Sequence, residues 1–308
     1  MKIAAYLKAL RPRQWTKNLI VFAAPLFAFS INQNSLLGSL LALALFCGVS
    51  SSFYLLNDIV DVEADRRHPV KCNRPIAAGL VKIPVAIAMA VILLGGALIL
   101  GWLRSPLLGA TILSYAILQI AYNLKLKHTV ILDVMAIAAG FVLRACAGAA
   151  ATGIVLSPWF MLCTAMLALF LGIEKRKAEL RLLRIKGGKT RAVLRSYSLS
   201  LLLRMESVVT NGAIITYAIW SAGPIVKGAS TPWMMLTLPF VLYGMFRYQL
   251  LSDPREISTI DEHQAETGEE TERPEEVLLK DLPIRLTVLS WVMTTFIIMY
   301  LNRQGIIT

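Results

Sequence analysis

The apolar residues of this chain fall into blocks of roughly 15 to 22 positions, each long enough to cross or nearly cross a hydrocarbon layer about 30 Å thick. Nine such blocks stand out, over 16–32, 36–56, 83–103, 106–121, 130–150, 157–174, 205–222, 232–250 and 284–301. The pattern predicts an all-α membrane protein with nine transmembrane helices. Small residues sit at close spacing in several blocks, as in Gly95-Gly96 and Gly148-Ala149-Ala150, which lets membrane helices approach one another. A soluble fold would need many long, fully buried helices with almost no polar face. The first block follows a basic stretch and has no small-residue cleavage site after it, so it reads as a retained helix and not as a signal peptide.

Composition agrees with that reading. Of the 308 residues, 56% are hydrophobic and 16% charged, against about 25% charged in an average soluble domain. The charges then orient the chain. With the N-terminus in the cytoplasm, 27 of the 31 Lys and Arg lie on the cytoplasmic side. They occupy the N-terminal segment, the second-to-third, fourth-to-fifth and eighth-to-ninth loops, and the stretch from Lys175 to Arg204. The positive-inside rule predicts this split for a multi-pass protein of the cell (inner or plasma) membrane. An odd number of crossings puts the C-terminus outside.

The net charge of +12 hides a contrast, because residues 252–276 hold ten Asp and Glu against two Arg. Such a stretch cannot bury a core and reads as an acidic, flexible cytoplasmic loop within a single transmembrane domain spanning 1–308. The basic loops suit anionic membrane lipids. They are divided among several membrane loops, which argues against a nucleic acid partner. The four cysteines show no metal-ligand spacing and no disulfide framework.

The second block ends in Asn57-Asp58-Ile59-Val60-Asp61-Val62-Glu63-Ala64-Asp65. On a continuing helix Asn57, Asp58, Asp61 and Asp65 share one face. Like charges at that spacing repel unless a divalent cation sits among them. Hard oxygen ligands suit Mg²⁺, which keeps waters and bridges carboxylates to phosphate. Arg66, Arg67, His68, Lys71, Asn73 and Arg74 follow at once. Carboxylates for a metal, then cations for phosphate oxygens, is the layout a diphosphate leaving group requires.

The run NDIVDVEADRRHPVKCNRPIAAG resembles the first aspartate-rich motif of the UbiA-type intramembrane prenyltransferase superfamily. The opening LRPRQWTKNLIVFAAPLFA and the later YNLKLKHTVILDV resemble one branch of it, the polyprenyl-phosphate (decaprenyl-phosphate) phosphoribosyltransferases. The resemblance covers nearly the whole chain apart from the acidic stretch. It implies a UbiA-type helical bundle of nine helices with its active-site loops in the cytoplasm. Where prenyl-diphosphate users of the superfamily carry a second aspartate-rich motif, this chain reads Gly172-Ile173-Glu174-Lys175-Arg176-Lys177-Ala178-Glu179-Leu180, with no Asp and three consecutive cations. One acidic cluster and several basic ones suit a site with more phosphate to hold, such as a phosphoribosyl pyrophosphate donor and a polyprenyl phosphate acceptor.

By that resemblance, Asp58, Asp61 and Asp65 are the expected catalytic carboxylates, with Asn57 beside them as metal and substrate ligand. Lys17 and Asn18 are expected at the lipid phosphate. Arg67, Lys71, Arg74, Tyr122, Lys125, His128, Lys175 and Arg176 are expected to share the remaining phosphates. Asp133 is placed to orient Lys125 or to ligate a second Mg²⁺. Arg144, inside the fifth block, reads as structural, pairing with a helix-end carbonyl or another polar group. The alternative on the same fold is prenyl transfer from a diphosphate to an aromatic acceptor. A transporter is disfavoured, because the polar residues gather at one membrane face and no inverted repeat is evident. Chain length of the lipid stays open. So does assembly, although a homo-oligomer is compatible with the sequence.

Overall fold

The computed structural model describes residues 2–28, 30, 32–186, 192–252 and 280–307. Among them there is no strand. The α-helices run in the order α1 (Lys2–Ala9), α2 (Ala23–Phe27), α3 (Gln33–Val60), α4 (Val62–Arg66), α5 (Ile83–Arg104), α6 (Pro106–Leu124), α7 (Leu132–Thr152), α8 (Pro158–Lys186), α9 (Leu199–Ser221), α10 (Leu238–Leu251) and α11 (Leu282–Arg303). Side chains close several helix starts. Asn32 accepts from the Ser35 N–H at 2.9 Å before α3, Ser198 from Leu201 at 3.1 Å before α9, and Asp281 from Ile284 at 2.8 Å before α11. Each satisfies one of the donors a helix start leaves unpaired.

Among the described residues six helices are long and apolar enough to cross a membrane: α3, α5, α6, α7, α8 over Pro158–Arg181, and α11. The other three apolar blocks take different forms. The first becomes a 3-10 helix, Pro12–Phe22, that continues into the short α2. A 3-10 helix rises about 2.0 Å per residue against about 1.5 Å in an α-helix, so this stretch reaches further than its residue count suggests. The block at 205–222 lies in α9, which also carries Arg204 and Glu206. The block at 232–250 is a 3-10 turn, Pro232–Thr237, followed by α10. By contrast, α8 outruns its apolar block and stays helical through the basic run to Lys186. Glu, Lys, Leu and Arg are good helix formers. Beyond Ser252, the acidic stretch lies outside the described residues.

The chain divides into two compact units. The first comprises Met1–Leu26, Ser30–Leu124 and Leu143–Val155. Its core packs Phe46, Val49 and Phe53 of α3 against Leu108, Ile112 and Tyr115 of α6. Along α5 only Ala86, Ala90, Ala97 and Gly101 are buried, while Val91, Ile92, Ile99, Leu100 and Leu103 are exposed. Small residues on the packed side and large apolar ones outside are what a lipid-facing helix requires. The second unit comprises Phe27–Phe29, Lys125–Val142 and Leu156–Thr308. Its core joins Phe170 and Ile173 of α8 to Leu202, Val209 and Ala213 of α9 and to Met245 and Tyr248 of α10. Arg247 pairs with Asp281 at 3.0 Å, fixing the end of α10 to the start of α11.

Candidate active site

The acidic motif does not continue as one helix. It breaks at Asp61, which ends α3 and begins α4 with φ −90° and ψ 7°. A straight helix would line up three carboxylates on one face. At the break the three acids divide, Asp58 and Asp65 being buried and Asp61 exposed. Nη1 of Arg74 donates to Asp58 Oδ1 at 3.0 Å and to Asp65 Oδ2 at 2.6 Å. Arg11 donates to the same Asp58 oxygen at 2.5 Å and lies over the Tyr54 ring, 5.0 Å from its centroid. Arg74 and Arg11 are each under a third exposed in their side chains, so these pairs are shielded from bulk water and are worth more than surface pairs.

Around this centre lie the other expected residues of the loop. Asn57 is half-buried; Arg67 and Lys71 are exposed. His68 is turned inward on its own loop, its Nδ1 accepting from the backbone N–H of Val70 and Lys71 at 3.2 and 3.3 Å. Arg66 pairs with Glu63 at 2.9 Å and donates to the Ala77 carbonyl at 3.3 Å, closing the loop on itself.

Asn18 is not at the surface. It is fully buried, and its carbonyl oxygen accepts from Arg144 Nε at 2.7 Å. Its amide nitrogen donates to Cys47 Sγ at 3.3 Å. Arg144 also donates to the Tyr115 hydroxyl at 2.7 Å. Asn18, expected at a lipid phosphate, thus contacts a buried cation within the protein, and Arg144 has polar side-chain partners in Asn18 and Tyr115. Lys17 and Tyr122 are half-buried.

The second unit holds its own charged clusters. Arg176, fully buried, donates from Nε to Asp133 Oδ2 at 2.7 Å and also pairs with Glu179. The other Asp133 oxygen accepts from the Tyr197 hydroxyl at 2.7 Å. Burial, and then the bond to that carboxylate, raise Tyr197 above the usual phenol range, so at neutral pH it is a donor. Both oxygens of Asp133 are therefore held by Arg176 and Tyr197, where the sequence suggested Lys125 or a metal. The next residue, Lys177, joins Glu174 at 2.6 Å and Glu206 at 2.5 Å, and Gln249 donates to Glu206 at 2.9 Å. Lys175 is half-buried, and Lys125 and His128 are exposed at the turn Leu126–His128.

Arg11, Lys177, Glu206 and Tyr197 escape the sequence reading. The spacing of Glu174 and Lys177 is the one available signal, since side chains three apart on a helix are neighbours. The partners of Arg11, Glu206 and Tyr197 lie 47, 29 and 64 positions away, and nothing local announces them.

Among the described residues no three Asp, Glu, His or Cys side chains converge as a metal-ligand group. Asp58 and Asp65 nevertheless present their oxygens to one and the same cationic nitrogen. That suits Mg²⁺, which is commonly held by one or two carboxylates with waters and substrate phosphate completing its shell. Asn57 and Asp61 lie within a turn of the same place.

Fold and site together define a multi-pass, all-helical membrane protein with paired acids and cations where a membrane helix ends. The family follows from likeness: residues 19–263 match the UbiA prenyltransferase family, and the chain belongs to that family. It is 35% identical over 305 residues to the decaprenyl-phosphate phosphoribosyltransferase of Mycolicibacterium smegmatis, covering 95% of this chain and 91% of that protein. It is 36% identical over 304 residues to the protein of the same description in Corynebacterium glutamicum, covering 96% and 86%. Among solved structures, a UbiA homologue from Archaeoglobus fulgidus bound to DMAPP and Mg²⁺ superposes with a TM-score of 0.67 at 18% identity, over 94% of this chain and 97% of that one. That likeness speaks for the fold.

Proposed function

We propose that this protein moves a 5-phosphoribosyl group from phosphoribosyl pyrophosphate to a polyprenyl (decaprenyl-type) phosphate, with Mg²⁺ as cofactor and pyrophosphate as the second product. The observation that carries the reading is the near-full-length likeness to decaprenyl-phosphate phosphoribosyltransferases. The charge layout supports it. Glu174 and Glu179, at the place of a second acidic motif, are each engaged by a cation of their own helix, so that stretch brings no surplus of acid.

In the reaction the bond from ribosyl C1 to the pyrophosphate oxygen breaks, and a bond from C1 to a phosphate oxygen of the lipid forms. The nucleophile is already anionic, so no strong general base is needed. The protein has to position both phosphates and offset the charge leaving on pyrophosphate. Asp58 and Asp65, with Asn57 and Asp61, would hold Mg²⁺; when bound, it would neutralise pyrophosphate oxygens. Arg74 and Arg11 orient the carboxylates. Arg67, Lys71, Lys125, His128 and Lys175 would meet phosphate oxygens. Nine crossings, with the N-terminus and these loops in the cytoplasm, fit the distribution of Lys and Arg.

The test is purified protein with Mg²⁺ and polyprenyl phosphate, comparing labelled phosphoribosyl pyrophosphate with labelled prenyl diphosphate as donor. Label is expected in the lipid fraction from the first donor alone. Consumption of prenyl diphosphate with a hydroxybenzoate acceptor, and none of the first donor, would establish the prenyl-transfer alternative in its place.

A further inference from the structure

Three non-glycine residues have positive φ among the described residues, and Ile131, at 71°, is the β-branched one. A β-branched side chain in that region is a genuine backbone outlier. Such a conformation persists where its surroundings over-determine it, and such places cluster at functional segments. Burial of the side chain does not hold it, since Ile131 is 45% exposed. Hydrogen bonds do. Its N–H donates to the Tyr197 hydroxyl oxygen at 2.7 Å, and its carbonyl accepts from Met135 in the first turn of α7 at 3.0 Å.

Tyr197 is anchored in turn. It is 4% exposed, and its own O–H goes to Asp133, whose other oxygen is held by Arg176. One phenol oxygen thus accepts from the strained backbone and donates to a buried carboxylate. Shortly before Ile131 come Lys125, which caps the turn Leu126–His128, and Lys127 and His128 within it. That turn packs against the turn Ala192–Ser196 that leads into Tyr197.

We propose that Tyr197 is a positioning residue: by clamping the Ile131 backbone it fixes how the Lys125–His128 turn enters α7, and so where its cations meet substrate phosphate. The last step rests on the functional reading given above.

Tyr197→Phe removes both hydrogen bonds and keeps the ring. It is expected to raise the Michaelis constant for phosphoribosyl pyrophosphate or polyprenyl phosphate about tenfold, with kcat within about twofold, and to speed hydrogen exchange of the Ile131 amide. Ile131→Gly supplies a residue that takes positive φ without strain. Adding it to Tyr197→Phe should bring the Michaelis constant back to within about threefold of wild type, a recovery that repair of a general packing defect would not give. Unchanged constants in Tyr197→Phe would overturn the proposal. So would a raised constant that Ile131→Gly leaves untouched. If wild-type protein does not use phosphoribosyl pyrophosphate, the functional reading fails instead, and slow Ile131 exchange in Tyr197→Phe would independently sink the clamp.

Discussion

Asp58 and Asp65 stand on different helices, yet both direct an oxygen at the same nitrogen of Arg74, at 3.0 and 2.6 Å. Asp61, where α3 gives way to α4, lies between them and is exposed. The three acids therefore have different surroundings, which separates their expected contributions.

Asp58→Asn or Asp65→Asn should lower turnover on the order of a hundredfold or more, because each removes an anionic ligand for the cation that would offset leaving-group charge. Asp61→Asn perturbs no ion pair of the described residues, so its loss should be largest at limiting Mg²⁺ and partly recovered as Mg²⁺ is raised. Steady-state rates across a Mg²⁺ titration check both. Near-normal turnover of Asp61→Asn at limiting Mg²⁺ would remove Asp61 from the metal site.

The legibility of this site in sequence was uneven. The motif from Asn57 to Arg74 announces carboxylates beside cations, and long apolar blocks announce membrane helices. Periodicity cannot report a helix break at Asp61, because the local spacing is the same whether the chain runs straight or turns. Nor can it say that Asn18 faces Arg144, 126 positions away. The first apolar block illustrates another limit. Hydropathy gives its length in residues but not its rise per residue, which differs between the 3-10 helix at Pro12–Phe22 and an α-helix. In α8 the run after Gly172 looks like a charged loop by polarity alone. It is helical because its residues favour helix and pair across single turns, Lys177 with Glu174 and Arg176 with Glu179.

Arg176 and Asp133 are both fully buried, and their pairing predicts a stability effect before a kinetic one. Removing one member of a buried ion pair leaves an uncompensated charge and costs about 3–5 kcal/mol. Arg176→Gln should therefore lower the thermal unfolding temperature in detergent markedly, and Asp133→Asn added to it should restore part of the loss. Lys175→Gln should keep its unfolding temperature and raise a Michaelis constant. A fully stable Arg176→Gln protein with only a substrate-binding defect would show that this guanidinium serves substrate instead of Asp133.

Topology follows from the distribution of cations and is directly measurable. A reporter inserted within 252–276 should be cytoplasmic, and one fused after Thr308 external. If both report the same side, α11 (Leu282–Arg303), the one apolar helix between the two reporters among the described residues, does not cross, and the count of nine crossings fails.

The glycines of the apolar blocks separate by what lies beside them. A Cβ on Gly148 of α7 would sit 1.9 Å from the Val21 carbonyl oxygen, in the segment Pro12–Phe22, with the Val21 carbonyl carbon at 2.7 Å. Both sides of that contact are backbone, so no side-chain rotation relieves it, and the neighbouring Asn18–Arg144 bond fixes the same two segments. On Gly95 or Gly96 of α5 an added Cβ meets nothing within 4 Å. Gly148→Ala is therefore expected to destabilise by about 1–3 kcal/mol or more, as overpacking against an unyielding neighbour does. Gly95→Ala should be neutral or slightly stabilising, because alanine is the better helix former by roughly 1 kcal/mol. Thermal unfolding of the two variants in the same detergent compares them directly. Equal unfolding temperatures would mean that α7 and the first apolar segment do not approach through Gly148, and the buried setting of Asn18 would have to be redrawn with it.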